Sequence, residues 1–148
     1  MIYSIKDISE IFGISIYTIR FYDKEGLLPF VTRNKSGKRV FTESNVKMIQ
    51  TLCCLKNTGM QIKDIKKYID LCMEGVVTID SRKKLLFEHR KEVVAHINAL
   101  NENLNLIDSK IEIYDSPNAV EIINEKIRYF NDEQRENGLL NCHTKINQ

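Results

Sequence analysis

Ser15-Ile16-Tyr17-Thr18-Ile19-Arg20-Phe21-Tyr22-Asp23-Lys24-Glu25-Gly26-Leu27-Leu28-Pro29 is the stretch on which the fold turns. A serine ahead of an apolar-periodic run can accept from the free N–H groups of a first helical turn, and a glycine can take the left-handed conformation that ends one. Ser15 and Gly26 therefore predict a short helix running through about Glu25. Just upstream, Ser4 and Asp7 stand three residues apart as in a capping box. Ile5, Ile8, Ile11 and Phe12 then give an apolar stripe at helical spacing that stops at Gly13. Two short helices separated only by a turn around Gly13 and Ile14 make a helix-turn-helix.

Downstream, Pro29 bars continuation of the helix, and Ser36-Gly37 lies between two β-prone runs, Phe30 to Arg33 and Arg39 to Thr42, which predicts a small hairpin wing. A third helix, starting near Thr42 or Ser44, carries Val46, Ile49, Leu52 and Cys53 on one face as far as Gly59. A fourth keeps Ile62, Ile65, Ile69 and Cys72 inside, with Lys63, Lys66 and Lys67 on the wet side, up to Gly75.

From Thr78 to about Asp115 there is neither Gly nor Pro, and Val93, Ile97, Leu100, Leu104, Ile107, Ile111 and Tyr114 alternate steps of four and three, a heptad seam. A helix of that length spans about 54 Å and cannot bury so narrow a stripe within a small head. A partner helix is one way to cover it; a hairpin folded back from the last segment is the other. Ser116-Pro117 breaks the helix, Ala119 to Phe130 fits a final short amphipathic helix, and Asn131 to Gln148 reads as a polar, frayed tail. The expected fold class is mainly α. It comprises a winged helix-turn-helix head (1–75), a dimerisation coiled-coil helix (76–116) and a short C-terminal helix with a flexible tail (117–148).

A chain of 148 residues, 43% hydrophobic, fits one small head with an appended element. It shows no basic start followed by an apolar run and no stretch of eighteen apolar residues, so a cytoplasmic protein without a membrane partner is expected. Residues 1–75 hold twelve Lys and Arg against eight Asp and Glu, whereas residues 76–148 hold ten against twelve. Arg33, Lys35, Lys38 and Arg39 fall in an acid-free stretch from Leu28 to Phe41. This is the footprint of a surface that approaches phosphates, or of a solvated basic loop. Phosphate loop, zinc set and catalytic triad are all missing from the pattern, so no enzyme activity, catalytic residue, metal ligand or cofactor is expected.

The segment Thr18 to Pro29, with its Arg, paired aromatics, acid and Gly-Leu, resembles the second-helix signature of the MerR family of transcription regulators. Gly37, Arg39 and Phe41 resemble the family's wing, and Gly59-Met60-Gln61-Ile62-Lys63-Asp64-Ile65 is similar to the start of its fourth helix. The likeness extends over residues 1 to about 115. It implies a homodimer joined by an antiparallel coiled coil, a near-palindromic operator in a promoter with a long spacer, RNA polymerase as a partner there, and activation by bending and untwisting DNA.

A second helix laid in the major groove presents its N-terminal residues, here Ser15, Ile16, Tyr17 and Thr18, to base edges. The Tyr17 hydroxyl can reach a base or a phosphate, or the ring can lie on the head's surface. The resemblance assigns Arg20 and Tyr22 to the phosphate backbone, and Arg39 with Lys38 to flanking phosphates. Phe21, where the family often has Tyr, is expected in the core.

Only about thirty residues come after Pro117, too few for a sizeable effector pocket. The loop after the long helix, where metal-sensing members place cysteines, has none, and Cys142-His143 is a pair near the terminus. On a helical wheel Cys53 falls with Val46, Ile49 and Leu52, whereas Cys54 falls with Lys47, Thr51 and Thr58. Cys54 is thus the candidate sensor or a surface thiol, Cys53 a packing residue, and Cys72 a core residue. Cys54-Leu55-Lys56-Asn57-Thr58-Gly59 also resembles the turn of a subgroup that responds to aldehydes and other electrophiles. His89, His96 and Arg90 suggest surface or dimer contacts. Two other functions fit the same residues: a metal-responsive regulator of the same family, and a coiled-coil interaction protein whose basic head docks an acidic partner.

Overall fold

The computed structural model describes residues 1–139, so the Cys142-His143 pair lies outside the described residues. The elements run β1 (Ile2–Ser4), α1 (Ile5–Phe12), α2 (Ile16–Lys24), β2 (Thr32–Arg33), β3 (Arg39–Thr42), α3 (Glu43–Asn57) and α4 (Ile62–Met73). A 3-10 turn (Val76–Thr78), α5 (Ile79–Asp115) and α6 (Ala119–Glu136) complete the order. The fold is mainly helical, as expected. The chain divides into two compact units, Met1–His96 and the part from Ile97 onward, and α5 contributes to both.

In the first unit the caps do what their residue types dictate. The Ser4 side chain accepts from Asp7 N–H while the Asp7 carboxylate accepts from Ser4 N–H, a complete capping box on α1. Ser15 caps α2 and Thr42 caps α3, the latter with Asn45 as reciprocal acceptor. Gly13 closes α1 at φ 62°, and its conformation lets α2 begin three residues later; a side chain there would be strained.

The sheet differs from the expected two-stranded wing. β3 lies between β1 and β2, with Tyr3 opposite Phe41 and Thr32 opposite Val40, both pairings antiparallel. β1 was not foreseen, and Phe30 and Val31 lie outside β2, in a turn where Val31 N–H donates to Leu28 C=O. The head's core gathers Ile8, Ile19, Leu27, Phe41, Ile49, Leu52, Ile65 and Ile69, all essentially solvent-free. Burying side chains of this size stabilises by about 1.5–3 kcal/mol each before the entropy of ordering them is subtracted. α1, α2, α3, α4 and β3 all contribute to that one cluster.

Along α5 the seam residues Ile97, Leu100, Leu104, Ile107, Ile111 and Tyr114 are all exposed, Leu100 at 67%. Nothing among the described residues covers them, and α6 does not fold back over the seam. α6 runs six residues past Phe130, so Asn131 to Glu136 is helix rather than tail; Arg135 pairs with Asp132 in that last stretch.

Candidate nucleic-acid interface

The exposed face of α2 is set by how its other face is buried. Ile19 and Tyr22, three apart, enter the core, which turns Tyr17 and Arg20 outward. Tyr17 is 80% exposed and Arg20 is exposed one turn on. Ser15 and Thr18 are occupied locally: Ser15 Oγ accepts from Thr18 N–H at 3.0 Å, and the two hydroxyls share a hydrogen bond of 2.8 Å. They stiffen the N-terminus of α2, and each hydroxyl keeps residual hydrogen-bonding capacity.

The paired aromatics are placed opposite to expectation. Phe21 is 40% exposed and lies four residues from Tyr17, whereas Tyr22 is 6% exposed and packs in the core. Burial pushes the Tyr22 hydroxyl above its ordinary pKa. The Tyr22 ring is a core residue, which leaves only its hydroxyl end for a phosphate, and Phe21 is a surface residue rather than a core one. The cause is register: a ring at position 22 shares a face with Ile19, and a ring at 21 does not.

The wing is held by its own polar groups. Asn34 Oδ1 accepts from Ser36 N–H, Ser36 Oγ and Lys38 N–H, and Asn34 N–H donates to Lys38 C=O at 2.9 Å. Arg33 Nη1 donates to Gly37 C=O. Lys35 and Lys38 are left exposed on this rigid tip. Arg39 is different: its guanidinium grips Asp23 of α2, with Nε 2.7 Å and Nη2 2.5 Å from Oδ2. It is a brace between wing and α2 before it is anything else, and only its remaining donors can reach outward.

The cysteines separate by environment. Cys54 is exposed, whereas Cys53 is half-buried beside the core and its thiol is pushed up by desolvation. Cys72 is half-buried, with Arg82 Nη1 donating to Sγ at 3.8 Å. His89 is not a surface residue: it is 8% exposed, and its Nε2 lies 2.7 Å from Thr58 Oγ1, which in turn donates to the Cys54 carbonyl at 2.8 Å. This link between the end of α3 and α5 has no sequence signal beyond a Thr and a His far apart. Among the described residues no cluster of three His, Cys, Asp or Glu can hold a metal, and no helix is long and apolar enough to cross a membrane.

Residues 3–72 match the model of the MerR HTH family regulatory proteins. An uncharacterized HTH-type transcriptional regulator of Haemophilus influenzae is 42% identical over 120 residues, 81% of this chain and 89% of the relative. The crystal structure of HiNmlR, a MerR family regulator lacking the sensor domain, bound to promoter DNA, aligns with a TM-score of 0.73 and 41% identity. It covers 82% of this chain and 96% of that one. The chain belongs to the MerR family. A MerR family regulator from Bacillus thuringiensis aligns similarly, at 42% identity and TM-score 0.71, over 76% of this chain and 98% of its own. As a MerR-family protein the chain is a DNA-binding transcriptional regulator and not an enzyme.

Proposed function

We propose that this MerR-family regulator acts as a homodimer on a near-palindromic promoter operator. Each α2 enters a major groove, and the two heads are held apart by paired α5 helices. The observation that carries this reading is the face of α2: Tyr17 and Arg20 stand exposed on a helix whose opposite side is locked into the core. The likeness to a regulator bound to promoter DNA supports the same placement. Tyr17 reads a base, Arg20 takes a phosphate, and Lys38 with the outward donors of Arg39 takes flanking phosphates. Ser15 and Thr18 fix the helix end at the groove and offer their residual capacity there. The exposed seam supports the dimer, because a row of large apolar residues on a helix is stable in water only against a partner. RNA polymerase at the promoter is the further partner.

The proposed input is covalent modification of Cys54, the exposed thiol on α3. Its thiolate sulfur bonds to the β-carbon of an α,β-unsaturated carbonyl, and a proton from water ends on the α-carbon. Selection from random duplexes tests the DNA reading: an enriched near-palindrome supports it. Binding without sequence preference would return the chain to a basic head that docks an acidic partner.

A further inference from the structure

Within the first unit, α4, the first part of α5 and the Gly59-Met60-Gln61 turn line a cleft of about 610 Å³. Its α5 residues Ser81, Leu85, Glu88 and Glu92 centre about 120° around that helix from Val93 and Ile97, counting 3.6 residues per turn, so the cleft is not part of the seam. Met60, Leu71 and Leu85 give it apolar surface. Lys63, Lys67 and Lys84 also line it, and none of the three has an ion pair with a carboxylate among the described residues.

His89 lines the same cleft with a side chain only 9% exposed. Thr58 Oγ1 has one proton and faces two carbonyls, of Cys54 at 2.8 Å and of Leu55 at 3.2 Å, which can only accept. The hydroxyl therefore donates to a carbonyl and accepts from His89, whose Nε2 lies 2.7 Å away and must carry the ring proton. In the neutral ring Nδ1 is then a bare acceptor, and no N–H or O–H among the described residues donates to it. Its neighbour is another acceptor, Glu92 Oε2 at 3.9 Å. Two acceptors at that separation are what a single ammonium can bridge, since two N–H···acceptor bonds of about 2.9 Å span it, whereas a hydroxyl has only one proton to give. Asp64 and Glu88 also line the cleft, Glu88 being paired with Lys91 at 3.0 Å.

We infer that the cleft is a binding site for a small zwitterion, a primary ammonium and a carboxylate joined by an apolar body. The ammonium bridges His89 Nδ1 and Glu92, the body lies on Leu85 and Leu71, and the carboxylate takes Lys67 and Lys84. The free lysines exclude a diamine, because its second ammonium would meet like charge. Lys84 and His89 are five residues apart on α5, a rise of about 7.5 Å, which sets the span between the two charged groups. The site stands apart from the dimer and DNA readings. Its anchor is one hydrogen bond from Thr58, so occupancy bears directly on the link between α3 and α5.

The test uses the full chain labelled with nitrogen-15, at about pH 8, where an unperturbed imidazole is neutral. The ring nitrogens of His89 are read first by NMR: the proton is expected on Nε2 with Nδ1 bare, and a proton on Nδ1 overturns the inference. The chain is then titrated with 6-aminohexanoate. Saturable shifts of the Gly59, Leu85 and His89 signals are expected, with a dissociation constant below about 1 mM. Hexylamine, which lacks the carboxylate, and hexanoate, which lacks the ammonium, should each bind at least about tenfold more weakly. Glu92→Gln, and separately Lys67→Gln with Lys84→Gln, should each weaken 6-aminohexanoate about tenfold; these side chains are exposed, so the thermal transition should not move. Shifts that do not saturate, equal affinity for the three compounds, or unchanged affinity in both variants would overturn the site.

Discussion

Arg39 of β3 and Asp23 of α2 form a paired contact in which two guanidinium nitrogens converge on one carboxylate oxygen, at 2.7 and 2.5 Å. Both side chains are less than a third exposed, so the pair is shielded from solvent more than a surface ion pair is. It joins the wing to α2, the helix proposed to enter the groove, and it partly neutralises the cation that the proposal sets against phosphate. Arg39→Ala is therefore expected to cost about 2 kcal/mol of stability and to lower the salt slope of DNA binding by less than the value of about 1 typical of a free phosphate contact. Asp23→Asn should strengthen binding to random duplexes by freeing the same cation. Thermal unfolding and salt-titrated binding read the two effects separately; a full unit of slope lost with unchanged stability would make Arg39 a simple phosphate ligand.

Tyr17 and Arg20 share a face but are expected to fail differently. Tyr17→Ala should leave stability unchanged, given its exposure, and reduce the ratio of operator to random-duplex affinity by about tenfold. Arg20→Ala should weaken both duplexes alike and lower the salt slope by about 1. Equal losses on both duplexes for Tyr17→Ala would demote it to a backbone contact.

Leu100 and Leu104 lie in the middle of the exposed seam, and each presents a bare apolar surface. Leu100→Glu with Leu104→Glu should convert the proposed dimer to a monomer by sedimentation, because in that dimer like charges would meet in a desolvated layer. The head, whose core contains none of these residues, should keep its unfolding transition. A persistent dimer would require another interface.

What the sequence revealed was mostly local. Ser4 with Asp7, Ser15 and Thr42 announced three helix starts because a capping oxygen and the N–H that donates to it lie within one turn. β1 escaped because three residues carry too little periodicity, and their strand character comes from pairing with β3 some forty residues away. The exchange of Phe21 and Tyr22 was legible: Ile19 marks the buried face, and position 22 is the one that shares it. The Arg39–Asp23 brace and the Thr58–His89 link were not legible, since neither opposite charge nor a polar pair reveals a partner across sixteen or thirty-one residues.

Tyr22 and Cys53 give a pH dependence with a definite sign. Both are held above their ordinary values of 10.0 and 9.0 by burial, so the unfolded chain releases these protons first as pH rises. Their contribution is fully present below about pH 9 and is lost as pH climbs through the raised folded values. Thermal stability should fall above pH 9, and Tyr22→Phe should flatten the upper part of that fall. An unchanged alkaline limb in Tyr22→Phe would remove Tyr22 from the account.

Cys54 is expected to carry the response to electrophiles, ahead of Cys53 and Cys72. It is the exposed thiol of α3, whereas the Cys53 thiol is disfavoured as a nucleophile at neutral pH both by its raised pKa and by its half-buried position. Cys72 is half-buried with its sulfur engaged by Arg82. A group added to Cys54 lies one turn from Thr58, whose hydroxyl bridges the Cys54 carbonyl and His89 of α5. Bulk there can bias the packing of α3 against α5 while α2 and its caps stay in place. Cys54→Ser should therefore keep operator affinity within a few-fold and dimerise normally, while promoter output no longer changes on exposure to an aldehyde or quinone. Cys53→Ser should lower thermal stability, because a hydroxyl replaces a thiol against an apolar cluster, with the response intact. His89→Ala should keep labelling of Cys54 but blunt the output. Intact-protein mass spectrometry under limiting electrophile decides the order of labelling; modification of Cys53 or Cys142 first, or a response that survives Cys54→Ser, would remove Cys54 as the sensor.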